Sequence, residues 1–161
     1  MNKLLFQRIT FFSSILGGLL ALITLIPFIG QIGFFILMCF ASVFVILFMM
    51  KLDLIEFYEI RESVIVGALI GAISYIAFSI IYIPVVIILM RLFGIYTNYG
   101  VSLILSSASL WLLIILTVFM AVLSATLNAF FAFLTYYITE LIKSMNHNTQ
   151  NNDNDNEQFR L

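Results

Sequence analysis

The sequence predicts an all-α integral membrane protein: a four-transmembrane-helix bundle with both termini cytoplasmic and a disordered C-terminal tail. Three observations lead there. The 161 residues are 63% hydrophobic and only 9% charged, against about 25% charged in an ordinary soluble domain. A water-soluble fold of that composition would expose large apolar patches, which folded proteins avoid. The few charges stand between long uncharged runs, each with room for a helical crossing of about 20 residues, and the basic residues fall almost entirely on one side of the resulting layout.

Residues 1–145 form the predicted transmembrane domain. Lys3 and Arg8 open it with positive charge. The apolar run that follows exceeds the usual 7–15 residues of a signal peptide's core and ends in no A-x-A cleavage site, so it reads as a retained anchor. Between Arg8 and Lys51 lie 42 uncharged residues, enough for two crossings at about 1.5 Å per residue. The turn between them is signalled by IPFIGQIG, with Pro27, Gly30 and Gly33. The spans are then expected at 9–29 and 32–50.

The segment 51–62, KLDLIEFYEIRE, interleaves charged and apolar residues and is expected as a short amphipathic helix at the headgroups. Ser63 is placed to cap the helix that follows. The third span, 64–90, is uncharged, carries Gly67, Gly71 and Ser74 at helical spacing, and includes Pro84, which removes one backbone hydrogen bond and favours a kink. Arg91 closes it, well placed at a helix C-terminus.

The next 48 residues, 92–139, are also uncharged. Gly94, Asn98, Gly100 and serines 102, 106, 107 and 109 crowd the first part, whereas 110–139 has neither glycine nor proline. An external loop, a serine-rich lead-in and one long fourth span, 110–137, are expected. Charge bias gives the same count: with four spans, Lys3, Arg8, Lys51, Arg61, Lys143 and Arg160 share one side and Arg91 stands alone, the bias the positive-inside rule requires. The tail, 146–161, has six asparagines and three acids in NHNTQNNDNDNEQ and cannot bury enough apolar surface to offset ordering, hence disorder.

Helices in lipid associate by close packing and a few hydrogen bonds. The packing candidates are Ser13, Gly17 and Ala21 on the first span, Gly67, Gly71 and Ser74 on the third, and Ala121, Ala125 and Ala129 on the fourth, flanked by Ser124, Asn128 and Ala132. Gly67 and Gly71 form a GxxxG, read either as packing inside the bundle or as a homodimer face. Asn128 is expected to bond a neighbouring helix. The first and third spans each place glycine early and proline late, which hints at a doubled two-helix unit.

Chemistry is sparse. None of the four spans holds an ionisable residue, the usual marker of ion pathways and proton relays. A net charge of −1 leaves no electrostatic footprint for nucleic acid. The single cysteine, Cys39, excludes an intramolecular disulfide and reads as a small hydrophobe. His147 stands alone in the tail, and no Ser–His or paired-Asp constellation supports hydrolysis. No catalytic, cofactor or metal residue is therefore expected. The one concentration of carboxylates, Asp53, Glu56, Glu59 and Glu62, reads as a solvated headgroup face, as a docking site for a cytoplasmic partner or as a weak divalent-cation patch.

The order LLALITLIPFIG, an all-apolar second span, an acidic linker, ESVIVGALIGAIS and IPVVIILM resembles uncharacterised small four-span membrane proteins of bacteria. The resemblance covers about residues 17–90 and implies no activity. The functional expectation is a non-enzymatic structural or assembly module of the bacterial inner membrane, its partners the lipid bilayer and either a second copy or another membrane protein. The alternatives are an accessory subunit of a permease or channel, its pathway lined by Ser74, Ser79, Asn128 and the serines at 102–109, and a holin-like pore former.

Overall fold

A computed structural model of the chain describes residues 3–26, 29–52, 54, 60–95, 101, 104, 107 and 109–158, the stretch 146–158 through its backbone alone. Four long helices dominate: α1 (Lys3–Thr24), α2 (Ile29–Lys51), α3 (Ile60–Phe93) and α4 (Leu110–Gln158). Each is long and apolar enough to cross a membrane.

The first hairpin is tighter than expected. α1 stops at Thr24 rather than 29, with Leu25 and Ile26 N–H groups closing back onto Leu22 and Ile23 carbonyls at 3.2 and 3.1 Å. α2 begins at Ile29 rather than 32, so Gly30 and Gly33 are not turn residues but belong to its first turns. Their work is close approach. A Cβ on Gly30 would run into the Thr24 carbonyl, and one on Gly33 would lie 3.0 Å from the Thr24 hydroxyl. Pro27 lies outside the described residues.

The expected amphipathic helix over 51–62 is also corrected where it can be seen. Lys51 ends α2, Ile60 already begins α3, and Leu54 between them is not helical. Its N–H donates to the Met49 carbonyl at 3.0 Å and its side chain packs on the core. Because α3 starts four residues early, Ser63 lies inside the helix and caps nothing; it is fully buried, and its hydroxyl donates to the Ala132 carbonyl at 2.9 Å. α3 passes through Pro84 and ends at Phe93 with Arg91 in its last turn. Gly94, at φ +63, takes the left-handed conformation that stops a helix at little steric cost. In the predicted loop and lead-in, Val101, Ile104 and Ser107 are helical and Ser109 is not.

α4 begins at Leu110 as expected but continues to Gln158, beyond 137 and through most of the segment expected to be disordered. Extending an existing helix adds one hydrogen bond per residue fixed, whereas starting one is costly. A polar segment joined to a long stable helix can therefore carry helical backbone that composition alone would not support.

Contacts fix the arrangement. α3 and α4 run antiparallel, with Ser63 against Ala132 and Ser124 against Gly71. α2 and α4 run parallel, with Leu37 and Met38 sharing one cluster with Ala121 and Val45 and Met49 sharing the other with Ala132. α1 packs on α2 and α3, where Gly17 faces Ser74 and Gly18 faces Ile81. α2 and α3 also touch, as Phe34 and Phe78 do, whereas α1 and α4 occupy the far corners of the rhombus. A doubled hairpin related by a dyad along the bundle would make the α1–α4 contact equal the α2–α3 contact. It does not.

Candidate functional site

Two apolar clusters fill the bundle. One, towards the interhelical turns, contains Leu20, Leu37, Met38, Phe78, Tyr82 and Val86; the other, towards the termini, contains Ile9, Val45, Ile46, Met49, Val66 and Ala132. Between them lies a layer of small polar residues, at least one from each helix: Ser13, Ser42, Ser74, Ser124 and Asn128. All five are completely buried. Among the described residues this layer is where the polar chemistry of the interior concentrates, which makes it the candidate site.

Asn128 is its hub. The side-chain oxygen Oδ1 accepts from the Ser42 backbone N–H at 2.7 Å. The amide nitrogen Nδ2 donates towards the Met38 carbonyl at 2.9 Å and the Leu37 carbonyl at 3.2 Å on α2. It also faces the Ser124 carbonyl at 3.0 Å and the Ser124 hydroxyl at 3.3 Å one turn back on α4. These partners fix the amide's orientation, since only the oxygen can face an N–H and only the nitrogen can face carbonyls. Ser42 N–H and Met38 C=O are the two ends of one i→i−4 rung of α2, so a side chain of α4 is joined to both ends of that rung. Ser42 returns the contact, its hydroxyl donating to the Asn128 carbonyl at 2.8 Å. Ser124 carries the chain on to α3, donating to the Gly71 carbonyl at 3.1 Å.

Glycine admits this layer. A Cβ on Gly71 would lie 2.6 Å from the Ser124 carbonyl and 2.7 Å from the Asn128 Cβ. One on Gly67 would run into Ala132 and lie 2.7 Å from the Asn128 carbonyl. The GxxxG of α3 is therefore filled by α4 of the same chain. On α4 the buried stripe is Ala121, Ser124, Asn128, Ala132 and Thr135. Ala125 and Ala129, expected at its centre, sit on its shoulder: half-buried, touching the glycines and lining an outward groove of about 560 Å³ with Ala68 and Ala72.

On the other side of α3 the layer is different. Ser13, Gly17 and Ala21 of α1 are buried together, and Gly17 lets the Ser74 backbone approach where any side chain would collide. Yet the Ser13 and Ser74 hydroxyls have no hydrogen-bond partner. Threonines 10, 24, 117, 126, 135 and 139, by contrast, all bond the carbonyl four residues back. Removing an unpartnered hydroxyl costs little, while removing a paired one strands its partner. Ser13→Ala and Ser74→Ala are thus expected to leave the melting temperature unchanged or slightly raised, and Ser42→Ala to lower stability by about 0.6–1.7 kcal/mol, the range for hydrogen bonds between membrane helices. Cys39, the sole and buried cysteine, supplies the readout through its labelling by a thiol-reactive dye during heating in detergent.

Protein-family models, curated proteins and solved structures yield no match to this chain. The site stands on its own geometry.

The remaining sequence candidates are dispersed. Ser74 faces α1, Asn128 faces α2, and Ser79 lies beside Tyr75 in a separate cavity. The three do not share one lumen. Of the carboxylate cluster, Glu62 is exposed in the first turn of α3, while Asp53, Glu56 and Glu59 lie outside the described residues. Sequence reading singled out Asn128 and the small-residue stripes but missed Ser42 as their partner. The signal was thin, since Ser42 is one serine beside Ala41 in an otherwise apolar helix.

Proposed function

We propose that this chain is a multi-pass protein of the bacterial inner membrane, both termini cytoplasmic, that works as a non-enzymatic structural or assembly module. The observation that carries the reading is an apolar exterior around a central polar layer. The fully buried layer is serine and asparagine, while leucine, isoleucine and phenylalanine stand exposed on all four helices, among them Phe11 at 62%, Phe35 at 58%, Ile80 at 67% and Ile115 at 63%. Water would penalise that exterior, and lipid solvates it. Ser42, Ser124 and Asn128 spend their hydrogen bonds on one another and on the Gly71 and Met38 carbonyls, which supports packing, rather than passage of a solute, as their role.

Orientation follows from the basic residues, six of seven on the side of the termini. Reporter fusions are expected to place Lys3, Lys51 and Lys143 on the cytoplasmic face and Arg91 on the other. A fusion at Lys143 reporting the opposite side would break the four-span topology. For activity, liposomes reconstituted with the chain alone are expected to leak ions and small solutes no faster than empty ones. A flux abolished by substitutions in the bundle would replace the structural reading by the permease or pore reading.

A further inference from the structure

At the turn end of the bundle, above the polar layer, a cavity of about 350 Å³ lies between α2, α3 and α4. Its floor is aromatic. Tyr75, Phe78 and Tyr82 stack along α3 with ring centroids 6.0 and 4.9 Å apart, and all three are buried. Phe34 closes the α2 side, packing on Phe78 at 6.0 Å, and Met120 and Thr117 supply the α4 side. Its rim is Leu116, 39% exposed, and Ile104, 43% exposed. The cavity therefore opens onto the apolar outside of the bundle.

Three features decide what can occupy it. Among the described residues no charged one lines it, so an ionic headgroup meets no counter-charge there. Two of its polar contacts are internal: Thr117 Oγ1 donates to the Leu113 carbonyl at 2.8 Å, and Tyr75 bonds Ser79. The walls therefore offer mainly hydrocarbon and ring faces. The shape is a slot along the helices: both the Tyr75-to-Tyr82 wall and the Leu113-to-Met120 wall run over eight residues, about 10 Å from end to end at the rise of an α-helix. An apolar cavity of about 150 Å³ takes a benzene ring, so this one has room for roughly a dozen carbon atoms.

We propose that the slot holds one acyl chain of a membrane lipid, entering sideways between Ile104 and Leu116 and lying parallel to α3 and α4. An empty slot leaves its lining atoms without dispersion partners on one side. In a bilayer the neighbouring material is fluid hydrocarbon whose chains run along the helix direction. The assignment rests on the membrane reading above.

The test is native mass spectrometry of the full chain, reconstituted into vesicles of phosphatidylethanolamine and phosphatidylglycerol and released into mild detergent. One retained phospholipid per chain is expected. Met120→Trp and Thr117→Phe, which fill the slot, should cut the retained fraction by about tenfold, the effect of losing roughly 1.4 kcal/mol of contact. Val122→Phe, on the exposed face of α4 away from the slot, should retain it as the unaltered chain does. Cys39 dye melts identify which filled variants keep the fold, and those alone are compared. Equal retention in filled and unfilled chains overturns the proposal, as does a lipid-free dimer that the filled variants abolish, since the occupant would then be a second copy. If the chain sediments with membranes, needs detergent for release and retains no lipid, the slot assignment fails while the spanning assignment survives. Recovery in the soluble fraction would remove both.

Discussion

Gly71→Leu is expected to unfold the α3–α4 interface. A single Cβ at this position already meets the Ser124 carbonyl at 2.6 Å and the Asn128 Cβ at 2.7 Å, and neither is the free end of a flexible side chain. The helices must separate, and separation breaks the Ser124–Gly71 hydrogen bond and pulls Asn128 away from α2. Overpacking a tight contact costs about 1–3 kcal/mol, and the lost interhelical bonds add about 0.6 kcal/mol or more each. A loss of about 3 kcal/mol or more is expected, seen as early labelling of Cys39 during heating. Gly67→Ile should behave in the same way. Cross-linking distinguishes this from a dimer face: a variant that keeps its Cys39 melt but loses its cross-linked dimer would show that the GxxxG seam faces outward, against the packing described here.

Asn128→Asp is the second large effect, and it should exceed that of Asn128→Ala. The two side chains have nearly the same shape, so a purely steric site would tolerate the change. A carboxylate still accepts from the Ser42 N–H, but its second oxygen faces the Leu37, Met38 and Ser124 carbonyls with no hydrogen to give. An uncompensated buried charge costs about 3–5 kcal/mol. Truncation to alanine loses the bonds and leaves a small void, about 1–2 kcal/mol, since the Ser42 N–H and Met38 carbonyl can still pair with each other as an ordinary rung. Acidification returns a donor to the aspartate, so the variant should recover stability as pH falls and lose it as pH rises. An aspartate variant as stable as the alanine one at neutral pH would show that the hub is not held by those carbonyls.

How much of this was legible beforehand differs element by element. α2 and the start of α4 could be placed to within a few residues because long uncharged runs and the distribution of glycine and proline are properties of the chain itself. Ser63 was misread as a cap because helix onset at Ile60 depends on what the linker packs against. Gly30 and Gly33 were misread as turn residues because glycine signals both a turn and a close approach, and only Thr24 lying against them tells the two apart. The stripe on α4 was centred on Ala125 rather than Asn128 because alternative i+4 rows differ by a small rotation of the helix.

The amino-acid order by itself determined four apolar helices, the small residues available to pack them and the scarcity of ionisable groups between them. Those follow from hydropathy and local backbone preference, which need no neighbour. Only the tertiary structure decided which faces meet: that Gly67 and Gly71 receive α4 of their own chain, that Asn128 reaches a rung of α2, and that the Ser13 and Ser74 hydroxyls are left without partners. Periodicity marks the side of a helix that wants contact, but the partner is chosen by how four rods of different width fit together at once.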